Sequence, residues 1–573
     1  MRRSLFTLRF SLFTLLCALC STAILADEAM YQDIRYLVDD NDLTAEVARN
    51  ASASGELLIP EHIVVGQNTY TVTAISDGAF RGCKNLSSIV LPPTLRRVYR
   101  SAFEGTAIML NRDNWTDGCL WLDSCLIATD KTIKPRLVLP EGTRLIAAGA
   151  FRGNKTLVRI DLPASVTRID HETFRDCKNL QKIVIPTSVT SIGEDAFTGS
   201  GIYLNEKKWR QGALYIDDCL IATNNSLPAT FVFKTKIPTR LIAERAFANR
   251  KSLRNVVIPA TVTAIPAAAF YQCENLTEAT IPASVTTVGR FAFYGCPLLR
   301  QATLPVGLRE LGMGAFYGCT NLREQVLGDQ LEVLPQAVFF RCSNIHHLLL
   351  PARLRRIDNG AFAGCAALEE ISLPATLVYL GDQALAGCAA LRELTIPAGV
   401  RSVAKQLCQG CSRLYRVNLP DGLYAVGDEA FEGCLMLEKI ALPESTFRVG
   451  ARAFRNCQML RAIHLVDHIH MLEEGAFMEC KMLEEIQLPA SLLRLSQGAF
   501  AQCVNIRRIT LNASLREIGE GAFCQCRSLR ELTLNDSLQS IGANAFLECA
   551  NLRQPLVPAT VTIGKNAFKG CKQ

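Results

Sequence analysis

The chain has 573 residues, 49% hydrophobic and 20% charged, which is the balance of a folded protein and not of a disordered one. Its formal charge of +7 is small for that length, and no basic run is interleaved with aromatics, so nucleic acid is not an expected partner. Beyond the leader, no apolar stretch reaches membrane-spanning length.

Residues 1–26 read as a secretory signal peptide. Arg2-Arg3 supply a charged start, Leu12 to Leu25 an apolar run, and Ala23 and Ala26 small residues near its end. Cleavage is expected after Ala26, with Ala23 as second choice. Cys17 and Cys20 each follow a leucine where lipid attachment would require a small residue, so a lipid anchor is not expected. Residues 27–73 are predicted to form a strand-rich N-terminal cap, and 74–573 a repeat array.

The array carries the main signal. From Phe247 to Phe546 one phrase recurs every 23 residues, clearest at Ala361-Phe362-Ala363-Gly364-Cys365 through Leu368, Ile371, Leu373 and Pro374. The same register joins Phe80 to Phe103, and Phe151 to Phe174 and Phe197; Phe568 closes the series one residue short. Leu385 and Cys408 stand in register where phenylalanine is otherwise the rule. A period in this range with leucines at its centre is the mark of a leucine-rich-repeat solenoid. Two wider spacings, about 104–150 and 198–246, hold atypical turns. Trp115 with Cys125-Leu126-Ile127-Ala128-Thr129 in the first matches Trp209 with Cys219-Leu220-Ile221-Ala222-Thr223 in the second, so a multi-repeat block was duplicated.

Within one turn, Lys182-Ile183-Val184-Ile185 alternates as a short strand with Ile183 and Ile185 inward. Pro186 ends it, having no N–H for a ladder. Val189 and Ile192 begin a second inward edge, and Ala196-Phe197 turn the chain back. The implied fold is a strand-dominated α/β solenoid, a leucine-rich-repeat right-handed superhelix with 23-residue turns.

These motifs resemble the bacterial BspA-like leucine-rich-repeat proteins over nearly the whole chain. The likeness includes Ile34-Arg35-Tyr36, Leu57-Leu58-Ile59-Pro60, Thr69 to Ile75 and the two tryptophan-bearing interruptions. What the resemblance implies is an exported or surface-held bacterial protein, several of whose relatives are adhesins binding matrix proteins or other cells. The ligand does not transfer, because the shared residues are structural.

Three residue rows invite chemistry. Ser165, Ser188, Thr261, Ser284, Thr376, Ser445, Ser491, Ser514 and Ser537 share one repeat position and are read as a hydroxyl ladder bonding backbone, not as nucleophiles. Cysteine recurs three residues after the key position, from Cys83 to Cys571. In-register side chains on adjacent turns stand too far apart and too parallel for disulfides, so buried free thiols are expected, with Cys408/Cys411 and Cys524/Cys526 as the candidate exceptions. His464, His468 and His470 with Asp467 form one histidine-rich stretch, read as solvated surface with metal binding left as the alternative.

Variation concentrates on the outward strand positions. Eight residues after the key position stand Glu278, Glu324, His347, Glu370, Glu393, Arg416 and Lys439, the candidate ligand surface; an adjoining row is rich in arginine, including Arg300, Arg323 and Arg392. No catalytic residue, cofactor or metal site is expected. The reading is a non-enzymatic scaffold that binds proteins or other cell-surface ligands, with a self-associating envelope or biofilm component as the alternative and the oligomeric state open.

Overall fold

The structure, a computed structural model, describes residues 27–39, 42–233 and 238–572; the leader expected at 1–26 lies outside them. The chain divides into two units, Met1–Arg210 with Leu214–Ile221, and Gln211–Ala213 with Ala222–Gln573.

The first unit opens with antiparallel strands Asp27–Tyr31, Ile34–Asp39 and Thr44–Val47, which close over the fully buried Tyr36. Antiparallel pairing then gives way to parallel. Thr44–Val47 pairs with Asn68–Ile75, whose Ala74 and Ile75 face Arg97 and Val98 one turn on. Gly55–Leu58 pairs likewise with Leu86–Val90. The segment therefore pairs directly with the first turns of the coil.

Each interruption begins with the same local device. Thr106 caps the four-residue helix Ala107–Leu110 by accepting from Met109 N, and Ser200 caps Gly201–Leu204 by accepting from Tyr203 N. The indole N–H of Trp115 donates to Met109 O at 3.0 Å and that of Trp209 to Tyr203 O at 2.8 Å, locking each helix from outside. In the first interruption an antiparallel hairpin follows, and its strand Cys125–Thr129 returns to the coil by pairing with Leu145–Ile146, while Tyr99 bridges directly to Ala148. These two helices are the only α-helices among the described residues, so the helical part of the expected fold shrinks to two single turns.

The second unit carries the regular turns. A first ladder of three-residue strands, such as Glu393–Thr395, Arg416–Asn418 and Lys439–Ala441, shows exposed-buried-exposed burial. A second ladder of two-residue strands follows, for example Ala425–Val426 beside Arg448–Val449 and Met471–Leu472. A third line of bonds runs through the key residues: Phe270 N donates to Ala292 O and Phe293 N to Ala315 O, each at 2.7 Å. Their rings stack inside, 4.9 Å apart for Phe247–Phe270 and 5.1 Å for Phe270–Phe293. Each fully buried phenylalanine contributes about 1.5–3 kcal/mol by leaving water.

Turning the chain around each key residue takes left-handed backbone on both sides. Ala268 and Gln272 flank Phe270 at φ 52° and 53°, and Glu429 and Gly433 flank Phe431 at 56° and 72°. Glycine meets this need without strain; other residues pay roughly 1–2 kcal/mol, which the stacked turns outweigh.

Both backbone-bonding rows appear as ladders. Ser188 Oγ donates to Val166 O at 2.9 Å, Ser284 Oγ to Val262 O at 2.8 Å and Ser491 Oγ to Ile469 O at 2.6 Å, each reaching one turn back. Near the end asparagine takes over: Asn512 Nδ2 donates to Leu492 O at 2.9 Å and Asn535 Nδ2 to Leu515 O at 3.1 Å, in the turns carrying Ser514 and Ser537. Ser165 Oγ is the exception, buried without a partner.

The cysteines among the described residues are free, Cys408, Cys411, Cys524 and Cys526 included. From Cys177 onward, the thiols three residues after the key position donate to the key residue's carbonyl one turn back, as Cys296 does to Phe270 O at 3.1 Å and Cys342 to Phe316 O at 3.0 Å. Burial away from water disfavours the thiolate and pushes Cys319 and Cys365 up to about 12. The protonated thiol is thus the form the ladder uses.

Candidate functional site

Six of the seven candidate residues lie on first-ladder strands of the second unit, Glu370 holds the same repeat position in a turn without a strand, and all seven are exposed. The strands place them because the middle residue of each is buried, as in Glu324-Gln325-Val326, which leaves its neighbours facing out. In-register pairing sets Glu324 opposite His347, Glu393 opposite Arg416, and Arg416 opposite Lys439.

The ladder is interrupted twice along this row, at 301–303, where only Gln301 bridges to Glu278, and again at 370–372. Residues 370–372 form no strand, although they lie between His347–Leu349 and Glu393–Thr395. A depression of about 560 Å³ opens there, lined by His347, Glu369, Glu370, Arg392, Glu393 and Tyr415. His347 Nδ1 stands 3.9 Å from Glu370 Oε1, Arg392 3.0 Å from Glu369, and Arg416 3.8 Å from Glu393. Tyr415 donates its hydroxyl to Glu393, and that bond holds the phenol above its ordinary pKa.

Three candidate residues, His347, Glu370 and Glu393, are therefore brought into one site, with Arg416 and Glu324 on its borders. Glu278 and Lys439 sit farther along the ladder and do not line it. Glu369 and Tyr415 were not among the candidates. Both fall in the arginine-rich row, seven residues after the key position, where two departures from arginine beside Arg392 were a usable signal.

The chemistry on offer is ion pairing and hydrogen bonding at a wet surface. Three glutamates face one arginine and one histidine, and the Glu370 side chain is 82% exposed. Single pairs at such exposure contribute at most about 1 kcal/mol, so the arrangement acts through its summed field.

The histidine stretch is dispersed. His464 points outward from the first ladder, His468 Nδ1 lies 3.9 Å from Glu444, and His470 stacks on Phe447 with centroids 5.1 Å apart. Among the described residues, no group of three or more His, Cys, Asp or Glu side chains is placed to hold a metal ion.

Parallel in-register turns of 23 residues, with their variation confined to an outward face, define a leucine-rich-repeat scaffold. The chain belongs to the BspA-type leucine-rich-repeat family, whose model matches residues 64–113, 131–227, 240–365, 332–461 and 448–573. Similar solved structures include a leucine-rich repeat protein from Bacteroides ovatus, 22% identical, covering 84% of this chain and 99% of that one with a TM-score of 0.37. A leucine-rich repeat protein of T. pallidum is 30% identical over 28% of this chain and 76% of its own, with a TM-score of 0.26. A leucine-rich cell surface protein from Faecalibacterium prausnitzii is 19% identical over 88% and 93%, with a TM-score of 0.21. No curated protein matches the chain. No described helix is long and apolar enough to cross a membrane.

Proposed function

We propose that the chain is an exported or cell-surface scaffold, adhesin-like and without catalysis, whose first-ladder face captures basic segments of protein partners. The observation that carries this reading is the acid-lined depression at 370–372, where the ladder breaks and Glu369, Glu370 and Glu393 converge. A stack of turns holds such a face in fixed geometry, so little ordering entropy is lost on binding. Its acidic field raises the rate of encounter with basic partners and is screened by salt.

The test is the variant E324K/E370K/E393K, screened with the unaltered protein against immobilised host-matrix and bacterial-surface proteins. Surface changes of this kind usually cost within about 0.5 kcal/mol each, so the fold should survive. Capture by the variant should be slower, and the salt dependence of association should flatten or invert. Equal association rates and equal salt slopes for the two proteins would remove the first ladder as the recognition face. Self-association of the pure protein with no foreign partner would favour the envelope or matrix role.

A further inference from the structure

Sixteen residues after each key position, at the outer edge of the second ladder, most turns carry an exposed polar residue: Thr263, Thr286, Arg309, Arg355 and Gln539 are examples. The fold thus asks nothing apolar there. Four consecutive turns depart from the pattern with Tyr424, Phe447, His470 and Leu493. Tyr424 is 53% exposed, Phe447 46% and Leu493 50%, and Met471 beside them 43%. These residues sit on successive rungs: Phe447 N donates to Tyr424 O at 2.8 Å, and His470 N to Phe447 O at 3.1 Å. Arg401 and Arg516 end the stripe on either side, so the apolar run is bounded.

One flank of the stripe is acidic. Asp421, Glu444 and Asp467 occupy the same position in three successive turns, and all are exposed. On the other flank Arg448 is held by Asp428 at 2.6 Å and by Glu473 at 2.7 Å, which leaves its charge already answered. A contiguous exposed apolar run with a polar border is the ordinary form of a protein-docking surface.

We propose that this stripe is a second docking surface, separate from the first-ladder face, and that its occupant is a protein segment carrying apolar side chains flanked by lysine or arginine. Charge selects the basic flank, because the carboxylates of Asp421, Glu444 and Asp467 border the apolar row. The side chains select a peptide over a sugar. Phe447 turns one ring face to His470, and Leu493 and Met471 offer aliphatic contact in place of the flat faces on which a sugar stacks.

The test uses the full chain and three labelled peptides, read by fluorescence anisotropy: alternating Lys/Leu, alternating Lys/Ser and alternating Glu/Leu. The Lys/Leu peptide should bind at least about tenfold more tightly than either of the others. The variant Y424T/F447T/L493T, which installs the residue that Thr263 and Thr286 already supply at this position, should lose that advantage while its far-UV circular dichroism is kept. Should that variant fail to fold, D421N/E444Q should weaken Lys/Leu binding and reduce its salt dependence. The first-ladder variant E324K/E370K/E393K should keep the preference for Lys/Leu over Lys/Ser, so failure of one surface is distinguishable from failure of the other. Equal binding of Lys/Leu and Lys/Ser, a preference for Glu/Leu, or unchanged Lys/Leu affinity in a folded stripe variant would each overturn the proposal.

Discussion

Within the second unit, the turns from Phe247 to Phe362 and those from Leu385 to Phe477 share one backbone and differ in what lines it. In the first stretch the inner rings stack without a gap, and a second stack stands outside them. Tyr271, Tyr294, Tyr317 and Phe340 lie 4.9, 4.7 and 4.8 Å apart, with Arg245 over one end and Arg341 beside the other. In the second stretch Leu385 and Cys408 interrupt the inner stack, and the outer position turns polar at Gln409, Glu432 and Arg455. Gln409 Nε2 donates to Glu429 and Glu432, and Arg455 lies 3.3 Å from both Glu432 and Glu479. An arch that accepts a hydrocarbon stack and an ionic ladder equally is set by its backbone, its thiols and its two left-handed residues. The side chain next to the key residue is then free to vary.

The broadest way to break this comparison is alkali, because the thiol ladder runs through both stretches. Cys319 and Cys365 are pushed from an ordinary value of 9.0 to about 12. Below 9 the folded and unfolded chains both keep these protons, and the ladder's contribution is intact. Between 9 and 12 the unfolded chain releases protons that the folded one retains, so stability falls by about 1.4 kcal/mol per thiol per pH unit. Urea midpoints measured at rising pH should drop steeply above 9, in both stretches together by hydrogen exchange; a midpoint flat to about pH 11 would mean the thiols are not shielded.

Next in size is the inner stack. Phe316→Ala should cost about 3–5 kcal/mol, whereas Cys408→Ala should cost nearer 1, since the second stretch has already lost its ring there. Denaturant titration of both variants settles it, and equal losses would show that the buried ring contributes no more than the thiol standing in its place. Thr446 sharpens the contrast in the opposite direction. Its Oγ1 is buried without a partner where neighbouring turns carry Leu423 and Ile469, so Thr446→Val should gain about 1–2 kcal/mol. The smallest effects belong to the arch. Arg455→Ala should cost under about 1 kcal/mol and less still in high salt, while Tyr294→Ala should cost about 1 kcal/mol regardless of salt. Matching salt profiles for the two would erase the distinction between an ionic and an aromatic arch.

The period, the inward residues and the thiol row were legible in the sequence because each is a repeated identity: Phe316, Cys319 and Leu322 recur turn after turn. The left-handed pairs were not, because backbone geometry there is shared by Gly433, Asn456 and Glu479 alike, and no residue type marks it. The exposed face was legible as a row but not as a site. Nothing in Glu370-Ile371-Ser372 announces that its strand fails to pair, and the depression lies where that pairing is missing. The Tyr424–Leu493 stripe is marked in the sequence only by departure from a polar norm, since no single residue type recurs along it.

The bonds that join the turns have a direction. Ladder thiols reach back to the preceding turn's carbonyl, as Cys296 does to Phe270, and key amides reach forward to the next, as Phe270 does to Ala292. Any turn consequently fits onto any other in one orientation and at one register, like links cast from a single mould. Unequal recombination between equivalent codons of two repeats would then shorten or lengthen the scaffold by whole links and leave a seamless joint. The reach of the molecule is in this sense heritable separately from its faces: a lineage could change how far the scaffold extends in one genetic event while keeping every surface it already presents.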